Sequence, residues 1–435
     1  MRLALGRSCN LREVACCRKF VLFLLPGREL NRAASLLMAN SVFLEPFPQR
    51  PELVLRNTTT PRIFVAATRM DDGKTTTSVG LFAALQNRFP RIGYIKPVGQ
   101  RFVEIEGAKI DEDTVLINDT YHPHTPLRAM SPIAVEPDFT RRYLSGGIAH
   151  QLHDRVRTAF DESAWEKDFV IIEGTGHAGV GSVFDLSNAT VAKLLKAKVI
   201  IVSRAGIGRP IDEISLNLAL FEKSGVEVIG AIINKVLPAK MDMLKEYATL
   251  GLAKLGLPLL GMIPMHTELY KPTVNQACLQ LRGEFIAGAQ HKRRRIAKIG
   301  VGAMSSRNAE KLLHPGTLII TPGDREDLIM MILNDDSKLP SRNHLAGVVL
   351  TDGILPHASV MELIRQRSIP FISTQADVSS ATTAIARMTV KTEVGDRDKI
   401  GLIQKLVQDH VQVDRIVDLV QRPDMYGPSQ LSLGM

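Results

Sequence analysis

Between positions 62 and 264 the chain alternates two hydrophobic periods, and this alternation restricts its fold more than any other feature. Uninterrupted apolar, largely β-branched runs recur at "RIFVAA" (62–67), "RIGYIKPV" (91–98), "DFVIIEG" (168–174), "AKVIIVS" (197–203), "VEVIGAIIN" (226–234) and "LPLLGMIP" (257–264). A strand with no polar face must be covered on both sides. Between the runs lie segments of helical period, among them 75–87, 188–195, 211–223 and 241–255. The expected fold class is therefore α/β, built from βαβ units in a mainly parallel sheet with helices on both faces.

Composition shifts over 265–298, where "LYKPTVNQACLQLRGEFIAGAQHKRRR" holds no strong strand and ends in a basic cluster. Downstream the pattern resumes on a smaller scale. "RRIAKIGVGA", "GTLIITPGD", "LAGVVLTDG" and "IPFISTQ" are each followed by a helical stretch, at 306–313, 326–333, 358–366 and 378–387, and an amphipathic stretch over 399–420 closes the series. The expected division is a leader and N-terminal extension over 1–60, a first α/β domain over 61–265, a linker over 266–295, a smaller α/β domain over 296–390, and a C-terminal helical segment over 391–435.

The formal net charge of +9 is unevenly spread: residues 1–37 hold seven Lys and Arg against two Glu, so +5 of it lies there. The remaining +4 gives no global basic surface for nucleic acid. "HKRRRIAKIG" is short and lacks interleaved aromatics, so it reads as a solvated linker. Cys9, Cys16 and Cys17 also lie in the leader, leaving Cys278 alone in the body, which points to a reducing compartment and away from a disulfide framework. No apolar run approaches the ~20 residues of a membrane span. The basic, acid-poor leader reads either as an organelle transit peptide or, preferred here, as an over-extended start with Met38 the true N-terminus, and a cytoplasmic protein is expected.

Within the first domain, "RIFVAATRMDDGKTTTSVGL" (62–81) reads as a strand, a tight loop and a helix opening at Gly73-Lys74-Thr75. Such a turn presents backbone N–H groups and a helix N-terminus to an anion. Lys74 can reach terminal phosphates and the Thr75 hydroxyl can ligate Mg²⁺. An ordinary helix start capped by Asp72 is the alternative, and Asp71 and Asp72 would repel phosphate unless they face metal or solvent. Glu173 ends an apolar strand, where open α/β sheets place ligands. Asp111, Glu112 and Asp113 read equally as metal ligands or as a solvated acidic turn. Lys96 reads by itself as a strand-end surface lysine, and His177 as a hydrogen-bonding loop residue.

"FVAATRMDDGKTT" resembles the P-loop of dethiobiotin synthetases, in which threonine also stands six residues before the lysine; Ala67 replaces that family's glycine. "IGYIKPVGQ", "VIIEGTGHAG" and "AIINKV" resemble its Lys-Pro-Val, Glu-Gly and adenine-contacting Asn segments. The same motifs occur in the N-terminal domain of long bacterial phosphotransacetylases and in cobyrinic acid diamide synthases. The resemblance implies a P-loop NTPase domain with ATP and Mg²⁺ as cofactors. It implies that Thr68, Asp72, Gly73, Lys74, Thr75, Thr76 and Asn234 bind nucleotide. Thr75, Asp113 and Glu173 would bind the metal, and Lys74 and Lys96 would act in the chemistry. The sequence departs at "GQRFV" and "TGHAGVGSVFDLSNA", so the family's substrate is not carried over.

"VGAMSSRNAEKLLHPGTLIITPGDREDLI" and "GVVLTDGILPHASVMELIRQRSIPFISTQADVSSATTAI" resemble the DRTGG domain, of whose namesake only Asp324 and Arg325 remain. The ligand reading is favoured for these two and the structural reading for Asp352. The expectation is an Mg²⁺-dependent ATP-binding P-loop protein with a DRTGG regulatory domain. ATP would either activate a carboxylate-like substrate, as in an ATP-dependent ligase or ATPase, or switch conformation; the alternative is a non-catalytic nucleotide sensor. ATP and a small-molecule ligand are the expected partners, with a homodimer and no nucleic acid or membrane. The roughly 45 residues after position 390 are too few for a further catalytic domain.

Overall fold

The computed structural model describes residues 54–146, 151–336 and 345–423; the leader lies outside them. Six parallel strands form the first sheet: β1 (Arg62–Ala67), β2 (Ile92–Ile95), β7 (Phe169–Glu173), β8 (Lys198–Arg204), β9 (Val228–Val236) and β10 (Leu259–Pro264), in the order β10-β9-β8-β1-β7-β2. Every residue of β1 and β7 is buried, as strands with two covered faces require. Helices Lys74–Gln86, Arg209–Lys223 and Met241–Lys254 supply the crossovers expected from the sequence.

Four short strands leave this sheet on its ligand side. β3 (Val98–Gly99) pairs with β6 (Ile133–Ala134), and β4 (Phe102–Ile105) pairs antiparallel with β5 (Ala108–Asp111). The β4–β5 hairpin turns at Glu106 and Gly107, both at positive φ, the conformation that two-residue hairpin loops favour. It delivers Asp111 to the start of helix Glu112–Tyr121, where the Asp111 carboxylate caps the Asp113 N–H at 2.9 Å.

The second lobe has its own five-stranded sheet, ordered β11-β15-β14-β13-β12, from β11 (Glu284–Ala287), β12 (Lys298–Val301), β13 (Thr317–Pro322), β14 (Gly347–Thr351) and β15 (Phe371–Ser373). Its β11 lies in the stretch expected to be a linker. That expectation is corrected: Thr273 and Gln276 form a capping box that starts helix Val274–Gln280, whose Val274, Ala277 and Cys278 enter the second core. β11 then pairs antiparallel with β15 as the edge strand. Cys278 is the free cysteine among the described residues, buried and with its thiol pushed up by that burial. The basic cluster is not a solvated linker either, since Arg294 donates to the Leu345 carbonyl at 3.0 Å and Arg295 pairs with Asp396 at 2.7 Å.

The C-terminal stretch forms two helices, Arg397–His410 and Val413–Gln421. They separate because Val411 bridges Gly261 on the edge strand β10 and the Gln412 N–H donates to Leu260 O at 2.8 Å, closing an otherwise open sheet edge. Helix Arg397–His410 lies against helix Lys74–Gln86 so closely that a Cβ on Gly80 would stand 2.2 Å from Val407 Cγ2. The chain thus returns from the second lobe to pack on the first.

In this helix the Lys399 ammonium is buried, with no hydrogen-bond partner among the described residues. Burial, then Arg295, lowers its pKa from 10.5 to about 8. A base with a depressed folded pKa is destabilising in full below about pH 8, and that cost disappears as pH rises to its unfolded value. Lys399→Met is expected to raise the melting temperature at pH 7, and its advantage over wild type should shrink between pH 8 and 10.5 in paired thermal melts.

Candidate functional site

Five adjacent strands of the first sheet end at one edge, and each contributes to one cavity of about 500 Å³. Lys96 follows β2, Glu173 ends β7, the loop of residues 68–73 follows β1, Arg204 ends β8, and Asn234 lies near the end of β9. Carboxyl ends of parallel strands are where open α/β folds place ligands.

The loop after β1 is held from within. The Asp72 carboxylate, fully buried, accepts from Thr68 Oγ1 at 2.7 Å on one oxygen and from Arg204 Nε at 2.7 Å on the other. Thr68 Oγ1 also lies 3.1 Å from Ser203 Oγ, and the Asn234 amide donates to the Asp72 carbonyl at 2.8 Å. Asp72 is therefore not the helix cap, and the side chains of Thr68 and Asp72, expected to contact nucleotide, are taken up here by bonds within the loop and to the adjoining strand ends. Both are occupied by the loop's own hydrogen bonds and stand outside the residues lining the cavity. The helix start falls to Gly73, at φ 107°, with no side-chain cap and no acidic residue in the first turn. Its N-terminal N–H groups and positive dipole end thus face the cavity without a competing carboxylate cap.

Gly73, Lys74, Thr75, Thr76 and Asn234 line the cavity, as do Lys96, Asp113 and Glu173. The Lys74 ammonium lies 3.3 Å from the Arg69 carbonyl; burial lowers its pKa, with Glu173 the largest opposing influence. Thr75 Oγ1 donates to Glu173 Oε1 at 2.8 Å, and the Tyr94 hydroxyl donates to Glu173 Oε2 at 3.0 Å.

Lys96 is not a surface lysine, and Asp111 and Asp113 are buried, with only Glu112 of that acidic run exposed. The Lys96 side chain is 9% exposed, and its ammonium hydrogen-bonds Asp113 and lies 3.0 Å from Asp111 Oδ1 and 3.7 Å from Glu173 Oε1. Burial would lower its pKa, but Asp113, Glu173 and Asp111 together raise it, so it stays charged. Asp113 is held at about 2 because Lys96 and then Lys391 outweigh its burial. Glu173 and Asp111 are pushed up by burial, against the pull of Lys96. Among the described residues no group of three His, Cys, Asp or Glu side chains forms a self-sufficient metal centre. A phosphate-bound Mg²⁺ needs only one or two protein carboxylates, and Thr75, Glu173 and Asp113 at the end of the loop fit that need.

Outside the cavity, His177 is exposed, its ring nitrogen accepting from Gly179 N at 3.2 Å, a loop role as expected. In the second lobe Arg325 spends its guanidinium on the Gly302 and Met304 carbonyls, each at 2.9 Å, and on Asp327, so its ligand reading is corrected to a structural one. Asp324 is exposed. Asp352 sits at φ 62° with its carboxylate accepting from Thr351 Oγ1 at 2.7 Å, a turn residue.

Sequence reasoning missed Lys391, on the segment linking the second lobe to the C-terminal helices. Its ammonium stands 3.5 Å from Glu112 Oε2 and 3.7 Å from Asp113 Oδ1 and lines the cavity with Met388 to Val390. No local pattern marks it, because its partners lie far away in the chain.

The sheet order, the glycine at positive φ and the lysine behind it define an α/β P-loop NTPase domain, joined to a second α/β domain. Residues 61–273 match the AAA domain family AAA_26 and residues 277–388 match the DRTGG domain. In this chain an AAA_26-type P-loop domain is thus followed by a DRTGG domain. It is 28% identical over 370 residues to the phosphate acetyltransferase of Pseudomonas aeruginosa, covering 81% of this chain and 51% of that protein. It is 26% identical over 376 residues to that of Nitrosomonas europaea, covering 83% and 52%. The chain therefore spans about half the length of these curated relatives. Among solved structures, the septum site-determining protein MinD of Pyrococcus horikoshii, complexed with Mg-ADP, is a remote likeness: 16% identity, 48% of this chain, 83% of that one, TM-score 0.30.

A Cβ on Gly73 would meet Asn234 Nδ2 at 1.9 Å, and φ 107° is strained for any L side chain. Gly73→Ala is expected to cost about 1–3 kcal/mol, read as a lower urea midpoint. In the Asn234→Ala background part of that cost should be relieved and the φ strain should persist.

Proposed function

We propose that the chain is an Mg²⁺-dependent ATP-binding regulatory module, in which occupancy of the P-loop cavity changes the relation between the P-loop domain and the DRTGG domain. The observation that carries this reading is the braced loop: Asp72 fixes it internally and leaves Gly73 and the uncapped helix start facing a cavity. The phosphates would lie on the N–H groups of residues 73–76, with Lys74 as their cation. Thr75, Glu173 and Asp113 would hold Mg²⁺, which supplies charge neutralisation on the phosphates.

The location of Lys96 favours a switch over a carboxylate-activating ligase. A lysine polarising a substrate needs to offer charge to it. Here the ammonium is enclosed by three carboxylates of the protein. The kinship with phosphate acetyltransferases supports regulation by analogy, and acetyl transfer is not proposed for this chain.

Lys74→Ala is expected to weaken Mg-ATP binding at least tenfold in calorimetric titration, because a charge-assisted contact to phosphate is lost. Equal affinity in both proteins would sink the P-loop reading. Wild type should turn ATP over negligibly with any fraction of a metabolite extract. One fraction that strongly accelerates ADP release would establish the ligase reading instead.

A further inference from the structure

The segment between the DRTGG domain and the C-terminal helices contributes to the lining of the proposed nucleotide cavity. Met388, Thr389, Val390 and Lys391 line that cavity together with Gly73, Lys74, Thr75 and Thr76 of the P-loop. At one end the segment continues from helix Val378–Ala386 of the second sheet's core. At the other it runs into helix Arg397–His410, which packs on the helix that begins at Lys74. A displacement of this segment is therefore felt by both the DRTGG domain and the P-loop helix.

Lys391 is the segment's charged contact with the site. Asp113 is shared by two lysines: Lys96 on Oδ2, and Lys391, 3.7 Å away, on Oδ1. The two ammonium groups differ in how firmly they are held. Lys96 is 9% exposed and anchored by Asp111 and Glu173 as well, whereas Lys391 is 30% exposed and, among the described residues, its ammonium otherwise pairs with the outer carboxylate of Glu112. An Mg²⁺ ion arriving at Asp113 would compete with the lysines for that carboxylate, and the weakly held one gives way first. The phosphates arriving with it would offer Lys391 a stronger anionic partner.

We propose that Lys391 is a terminal-phosphate sensor supplied by the DRTGG side of the chain: paired with Asp113 and Glu112 without nucleotide, it pairs with the terminal phosphate of bound ATP. This rests on the ATP reading above and deepens it. Lys391 is then the residue by which the site distinguishes ATP from ADP and by which the crossing segment registers the difference. It is a binding and positioning residue, and the P-loop itself remains the main phosphate site.

The test uses the full chain and measures affinities for Mg-ATP and Mg-ADP by calorimetry in wild type, Lys391→Ala, Lys391→Arg, Glu112→Gln and Lys74→Ala. Amide hydrogen exchange of residues 386–396 is followed in parallel with each nucleotide. Lys391→Ala should lose about tenfold in ATP affinity while ADP affinity stays within twofold. Lys391→Arg should recover most of the loss, and Glu112→Gln should keep the ATP preference. Mg-ATP, but not Mg-ADP, should slow exchange over 386–396 in wild type, and Lys391→Ala should abolish the difference. Equal losses for ATP and ADP, or the same behaviour in Glu112→Gln, would reduce Lys391 to a structural tether and overturn the proposal. If wild type binds ATP, Lys74→Ala does not, and Lys391→Ala matches wild type, this inference alone fails. Absence of nucleotide binding in wild type overturns both readings.

Discussion

The ion cluster around Lys96 fixes the geometry on which the site depends. Its members come from separate elements: Lys96 after β2, Asp111 and Asp113 from the hairpin and the helix it starts, Glu173 from the end of β7. Each is buried, so none can leave the cluster without stranding a charge in a poorly solvated place. That penalty makes the cluster a registration device. The hairpin can dock only where Asp111 and Asp113 meet the ammonium, and β7 must present Glu173 at the same depth. Glu173 then meets Thr75 and Tyr94, so the register set by Lys96 is passed to the first turn of the P-loop helix.

A second buried carboxylate does for the loop what this cluster does for the sheet edge. Asp72 ties the β1 loop to the ends of β8 and β9 through Arg204 and Asn234. A loop without glycine at position 68 gains less from backbone freedom and more from such side-chain bonds. Thr68 belongs to this economy, because its hydroxyl joins Asp72 to Ser203. The threonine that replaces the usual early glycine is thus a bracing residue. Ala67, where the related family has glycine, is simply the last buried residue of β1.

How much of this could be read from sequence depended on whether the physics was local. The six strands of the first sheet were legible because burial on both faces imposes unbroken apolar runs, as in "FVIIE". Gly73 and Lys74 were legible because the loop chemistry is contiguous. Asp72 was not, since a local reading makes aspartate before a helix a cap, and its actual partner Arg204 lies 132 residues away. β11 was missed because a short, partly exposed edge strand such as "EFIA" leaves a weak pattern. The Glu106-Gly107 turn is a signal that could have found the β4–β5 hairpin. Lys391 had none.

The C-terminal segment shows why the two lobes cannot be treated as beads on a string. Val407 occupies the space that Gly80 leaves on the P-loop helix, Val411 closes the edge of β10, and Lys198 donates to the Leu419 and Arg422 carbonyls at 3.0 and 2.6 Å. These contacts fasten the chain's last helices to the first domain after it has passed through the second. The polypeptide between them is therefore held at both ends, with Arg295 pinning its last residue, Asp396, to the basic stretch that enters the second sheet. A segment fixed at two ends and resting on a ligand cavity cannot move alone. A change in its contact at Asp113 would strain either the DRTGG core or the helix that starts at Lys74, and on the proposed reading that shared strain would couple the two domains.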